Sequence, residues 1–81
     1  MLSGLKAGVS LQQACEVMTQ AFRAAGIGEP QADARILAAH ALRLTRAQII
    51  SHAERKLDQR ELDALTARAT RRLAREPVSR I

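Results

Sequence analysis

Apolar residues recur along the chain at helical spacing, in stretches that polar runs separate. Between residues 11 and 25 they fall three or four positions apart, which places them on one face of an α-helix. The stretches 34–42 and 62–73 repeat this spacing, and Ile49 and Ile50 mark a short helix between them. The pattern predicts an all-α fold, a small antiparallel bundle of four helices, or five, ending in an extended linker.

Helix starts are marked by capping boxes, in which the N-cap side chain and the residue three positions later exchange hydrogen bonds. The three pairs are Ser10 with Gln13, Thr45 with Gln48, and Asp58 with Glu61. The remaining helix opens at Pro30, because a proline at the first helical position loses no hydrogen bond. Gly26 is predicted to end the first helix in a left-handed conformation, with Ile27 packing back onto it.

The chain divides into three predicted regions. Residues 1–9, with Gly4 and Gly8, are interpreted as a flexible leader, and residues 10–75 form the bundle. Residues 76–81 begin a linker towards a further domain, because Glu76 precedes a proline and is pushed out of the helical region.

The composition bounds the environment of the protein. The formal charge of +5 fits an acidic partner, whether nucleic acid, protein or membrane surface, and it also fits a merely soluble arginine-rich surface. Cys15 is the single cysteine, so an intrachain disulfide is excluded and a reducing cytoplasm is the expected location. No stretch approaches the roughly 20 apolar residues that a membrane helix needs.

Candidate chemistry is sparse. His40 and His52 have no cysteine, carboxylate or second histidine at ligand spacing, so no metal site is predicted. Cys15 lies on the apolar stripe of the first helix and is interpreted as a structural thiol rather than a nucleophile. For His40 a half-buried, hydrogen-bonded position is favoured over a contact with a partner. We predict no catalytic and no cofactor-binding residue in the chain.

Four arginines near the end of the last helix are spaced to share one face, which we call the arginine ridge. Its members are Arg68, Arg71, Arg72 and Arg75. One interpretation is a solvated face whose cations are favoured near the helix C-terminus. The other is an anion-binding surface, and on it the ridge and Arg80 are the predicted partner-binding residues. Without interleaved aromatic residues, the ridge is weak support for nucleic-acid binding.

Three segments, read in order, carry a resemblance to a known family. Residues 24–42 are similar to its A-G-I-x-x-P-x-x-D-A-x-x-L-L-x-H run, matching at Asp33, Leu37 and His40. Residues 44–50 look like its following L-x-R-x-x-L, and residues 76–81 resemble its G-E-P-[IV]-x-x-[IL] segment. The family is the HemK/PrmC protein methyltransferases, and the resemblance covers residues 11–81.

The resemblance implies a function that the residues alone do not. Members use S-adenosylmethionine to methylate the glutamine of the Gly-Gly-Gln motif in peptide chain release factors. The similar part is their N-terminal helical domain, so residues 76–81 would begin the linker to a methyltransferase domain that this chain lacks. A role in docking the release factor is implied, without catalysis by the fragment itself, and neither a membrane nor a nucleic acid is expected as partner.

Some positions depart from the family pattern, and other functions remain open. Arg75 stands where glycine is usual, which puts the conformation of the hinge in question, and Arg35 and Ala38 replace an acidic residue and a leucine. The alternatives are a free-standing basic bundle that binds RNA and a bundle that dimerises. RNA binding would weaken steeply with salt, and dimerisation would require an exposed apolar patch.

Overall fold

A computed structural model describes residues 2–81 and contains four α-helices and one 3-10 turn. The helices are α1 (Leu11–Ala24), α2 (Pro30–Leu42), α3 (Arg46–Ser51) and α4 (Gln59–Leu73), and the 3-10 turn is Val78–Arg80. Within residues 2–81 the only β-type pairing is an isolated antiparallel bridge between Ser10 and Lys56. The all-α bundle predicted from the sequence is confirmed.

All three capping boxes are present. The Ser10 hydroxyl accepts a hydrogen bond from the Gln13 amide at 3.2 Å, and the Ser10 amide donates to the Gln13 side chain at 2.9 Å. The boxes that start α3 and α4 have the same two reciprocal bonds. Pro30 occupies the first turn of α2, as predicted.

The first amides of α1 find further acceptors in the loop between α3 and α4. The Leu11 amide donates to the Arg55 carbonyl at 2.8 Å, and the Gln12 amide donates to the Ala53 carbonyl at 2.9 Å. The first amides of any helix lack partners within the helix. The carbonyls of this loop supply those partners for α1. Leu57, at the end of this loop, is 4% exposed and donates its amide to the Val9 carbonyl.

Helix α2 lies at the centre of the bundle and contacts α1, α3, α4 and the 3-10 turn. Its residues Ala34, Leu37 and Ala38 are completely buried. Phe22, the single aromatic residue, is also fully buried. The largest fully buried side chains come from three helices: Leu11, Met18 and Phe22 of α1, Leu37 of α2, and Leu62 and Leu65 of α4.

Three helices end in a residue with left-handed backbone, and two of these residues are arginines. Gly26 has φ 79° and follows α1, where the Ile27 amide donates to the Phe22 carbonyl, as predicted. Arg43 has φ 55° and ends α2. Arg75 has φ 74° and follows α4, so it adopts the conformation that the glycine usual in the resembled family would favour.

Residues near both ends of the described range 2–81 pack against the bundle. Leu2, Leu5 and Val9, in the segment interpreted as a flexible leader, pack against the core, and Met1 lies outside the described residues. At the other end, Pro77 is extended, as expected for the linker. The extended conformation predicted for the residues after it is wrong, because Val78–Arg80 form a 3-10 turn that contacts α2.

We expect replacement of Arg43 by glycine to stabilise the protein by on the order of 0.5–1 kcal/mol. Glycine adopts positive φ without the steric cost that an L-residue incurs there. Replacement of Arg75 by glycine should gain less, because the Arg75 side chain also donates to the Ala25 carbonyl at 2.5 Å. Urea unfolding of both variants measures the difference.

Replacement of Arg43 by alanine is the control, since it removes the side chain and keeps the strained backbone. Equal stabilisation by alanine and glycine would show that the side chain, rather than the positive φ, is responsible.

Candidate functional site

The arginine ridge is the candidate site predicted from the sequence, and its members occupy different environments. Arg72 is partly buried, and its Nε lies 2.9 Å from Asp33 Oδ2, with the two side chains 20% and 13% exposed. Asp33 lies in the first turn of α2, where the helix dipole favours a negative charge. Arg72 therefore joins the end of α4 to the start of α2.

Arg68 is partly buried as well. Its Nη1 is 3.4 Å from the Ala64 carbonyl one turn earlier, and its Nε is buried without a hydrogen-bond partner in the described structure. A guanidinium in this position packs its aliphatic stem on the helix surface and presents only part of its charge to solvent. We therefore do not place Arg68 with the exposed members of the ridge.

Arg71 and Arg72 together hold the segment that follows α4. Arg71 Nε donates to Glu76 Oε2 at 2.7 Å, and Arg71 Nη2 donates to the Arg80 carbonyl at 3.1 Å. Arg72 Nη1 donates to the Glu76 carbonyl at 3.3 Å. We call these contacts the arginine clasp. They join residues 76–81 to the end of α4.

Arg75 and Arg80 are exposed. Arg75 donates to the Ala25 carbonyl at the end of α1, where the last carbonyls of a helix lack partners within the helix. Arg80 contributes its backbone carbonyl to the arginine clasp, and its side chain makes no hydrogen bond within residues 2–81. With Arg71, whose side chain is 48% exposed, these are the members of the predicted set that remain accessible.

His40 is in a different position from the one predicted. It is exposed, and no hydrogen bond of its side chain is found within residues 2–81, so the half-buried position predicted for it is wrong.

Among the described residues no group of three His, Cys, Asp or Glu could hold a metal ion. No helix in the described part of the chain is long and apolar enough to cross a lipid bilayer.

Cys15 is partly buried against the core, which agrees with its interpretation as a structural thiol. Burial is the main effect and raises the pKa of the Cys15 thiol, while Arg35 lowers it and Glu16 raises it further. A thiol whose pKa is raised is a poor nucleophile at neutral pH, because little thiolate is present.

A second feature of the surface was not found from the sequence. Two adjoining hollows share Arg35, Ile49 and Ile50 among their lining residues. Ile50 is 71% exposed, and it is the one large apolar side chain exposed to this degree among residues 2–81. The sequence signal was the pair Ile49 and Ile50, because neighbouring residues on a helix point about 100° apart and this helix of six residues buries only Ile49.

Comparison with known proteins identifies the family. The fold and the clasped C-terminal segment define a small helical domain, and residues 13–81 match the family model described as the PrmC N-terminal domain. The chain belongs to this family.

The curated relatives that the chain resembles share one name. The chain is 38% identical over 74 residues to a release factor glutamine methyltransferase of Bradyrhizobium diazoefficiens, and the alignment covers 91% of this chain and 25% of that protein. It is 42% identical over 60 residues to a release factor glutamine methyltransferase of Rhodospirillum rubrum, covering 74% of this chain and 18% of that protein. The chain thus spans a quarter or less of these relatives. No solved structure matches it.

Replacing Arg72 by glutamine should destabilise the fold by about 1–3 kcal/mol, because it leaves the mostly buried Asp33 carboxylate without its charged donor. A double-mutant cycle with Asp33→Asn should show a coupling energy of about 1 kcal/mol or more. Arg60→Gln, an exposed position on the same helix, should change stability by less than about 0.5 kcal/mol. Additive losses in the cycle would show that the pair contributes nothing to folding.

The thiol of Cys15 should make stability depend on alkaline pH. Because its pKa is higher in the folded than in the unfolded chain, its contribution is intact below the unfolded pKa and is lost as pH rises through the folded value. Urea unfolding between pH 7 and 10 should therefore show a steeper loss in the native protein than in Cys15→Ala. Parallel curves would contradict the inferred burial of the thiol.

Proposed function

We propose that the chain is the substrate-docking domain of a protein methyltransferase. The enzyme would use S-adenosylmethionine, bound by a catalytic domain outside this chain, to methylate the glutamine of the Gly-Gly-Gln motif in peptide chain release factors. The observation that carries this proposal is the family match over residues 13–81 together with the shared name of the two relatives. The proposed location is the cytoplasm, which the single cysteine fits.

Docking by a separate domain has a physical rationale. Methyl transfer requires one side-chain amide to approach the methyl donor in a defined orientation, and holding the substrate elsewhere removes much of the entropic cost. The arginine clasp supports this role, because its hydrogen bonds hold residues 76–81 against the bundle. A bundle that holds residues 76–81 in place can present a docked partner at a defined distance from the proposed catalytic domain.

The charge distribution favours an acidic protein surface as the docked partner. The net charge is +5, and Arg71, Arg75 and Arg80 are exposed at the end of α4, so they are the proposed contacts among the predicted partner-binding residues. The one aromatic ring, Phe22, is fully buried and cannot stack on a nucleic-acid base. A protein partner is therefore favoured over RNA.

The test is a titration of the isotope-labelled 81-residue chain with the release factor of the same organism, followed by amide chemical shifts. We expect localised shifts, and shifts near the end of α4 would support a contact with the exposed arginines. A release factor in which alanine replaces the glutamine of the Gly-Gly-Gln motif should bind equally well, because docking does not involve the methylated side chain.

Absence of shifts at high concentration of release factor would overturn the docking role of this chain. Shifts that disappear with the alanine-substituted factor would contradict the separation of docking from catalysis.

A further inference from the structure

We infer that the surface around Ile50 receives an apolar side chain from an acidic segment of the docked protein, which would be the release factor if the proposed function holds. The surface, here called the Ile50 hollow, lies between α2 and α3 and has a volume of about 450 Å³. Its apolar lining comes from both helices and the turn between them: Ala32, Ile36, Ala39, Leu44, Ile49 and Ile50.

The local sequence explains why this apolar surface faces outwards. Thr45 caps a helix of six residues, and Ile49 turns into the core, where it is 7% exposed. Ile50, the next residue, points about 100° away from Ile49 around the helix and is 71% exposed. One exposed isoleucine would need no explanation. Its position at the edge of a hollow with an apolar lining is what marks a binding surface.

The charged side chains that line the Ile50 hollow are arginines. Arg35, His40 and Arg46 line it, and no carboxylate is among its lining residues. Glu16 lies on the adjoining hollow, on the α1 side of Ile50. Within residues 2–81 neither Arg35 nor Arg46 forms a side-chain salt bridge, in contrast to Arg71 and Arg72 of the ridge. Their charges are available to carboxylates that flank an inserted apolar side chain.

These features favour an acidic protein segment over a second copy of the chain and over RNA. A second copy of the chain would bring two cationic hollows together in a molecule of net charge +5, which costs energy. RNA would offer phosphates to the arginines, but the lining has no aromatic ring for a base to stack on. An apolar side chain between carboxylates matches both the apolar centre and the cationic rim.

The experiment measures the affinity of the 81-residue chain for the release factor in three variants: Ile50→Ser, Arg46→Glu and Arg60→Glu. Arg46 and Arg60 form a matched pair, because both are exposed arginines in the first turn of a helix with a capping box. We expect Ile50→Ser and Arg46→Glu each to weaken binding by about tenfold. Arg60→Glu should change it much less, and the effect of Arg46→Glu should shrink at high salt.

The outcomes separate this inference from the proposed function. Wild-type binding with unchanged affinity in Ile50→Ser and Arg46→Glu would overturn the Ile50 hollow as the contact and leave docking intact. No binding by the wild-type chain would overturn both. Equal weakening by Arg46→Glu and Arg60→Glu would show a general charge effect and overturn the assignment. Concentration-dependent mass in sedimentation that Ile50→Ser abolishes would assign the hollow to a second copy instead.

Unfolding of the variants in urea guards against loss of structure. Ile50 and Arg46 are exposed, so their substitution should leave the midpoint of urea unfolding close to that of the unsubstituted chain. A tenfold loss of affinity with unchanged stability supports a direct contact.

Discussion

The packing of α2 against every other element is the constraint on which the rest of this structure depends. Helices approach closely only where their contact positions are small, and α2 presents two fully buried alanines, Ala34 and Ala38, beside Leu37. Because α1, α3, α4 and the 3-10 turn all rest on this helix, a larger side chain at either alanine would displace several elements together. The pair between Asp33 and Arg72 depends on the same geometry, since it joins the start of α2 to the end of α4 at 2.9 Å. With a core this small, ion pairs and caps at the helix ends carry a large share of the specification of the fold.

Local interactions explain why the helices could be predicted from the sequence. A capping box involves residues three positions apart, so it predicts a helix start without reference to the rest of the chain. The pairs Ser10 with Gln13 and Asp58 with Glu61 are examples. The apolar spacing likewise identifies the buried faces. The conformations at the helix C-termini are less predictable from the sequence. Arg43 and Arg75 adopt positive φ although neither is glycine, and nothing in their side chains indicates this conformation. Their conformation follows from where the next segment must go, which is a property of the whole bundle.

The contacts of the candidate site, unlike the helices, could not be predicted from the sequence. The spacing of the four arginines predicted a shared face of one helix, but Arg75 follows α4 with positive φ. The spacing also cannot show which groups each arginine contacts. Arg72 meets Asp33, 39 residues earlier in the chain, and Arg75 meets the Ala25 carbonyl, 50 residues earlier. Such contacts depend on the packing of α4 against the ends of α1 and α2. A cluster of like charges in a sequence is therefore a weak guide to a binding surface until the intramolecular partners of each charge are known.

The same reasoning distinguishes the two cationic surfaces of the domain. In the arginine clasp, Arg71 and Arg72 donate to Glu76 and to backbone carbonyls of residues 76–81, although Arg71 remains 48% exposed. In the Ile50 hollow, Arg35 and Arg46 lie beside apolar surface without a salt bridge in the described structure. A small domain gains stability from each large apolar side chain that it buries, so an outward isoleucine next to uncompensated cations departs from what folding alone would favour. Departures of this kind concentrate where a protein meets something else, and for this chain that position is the junction of α2 and α3.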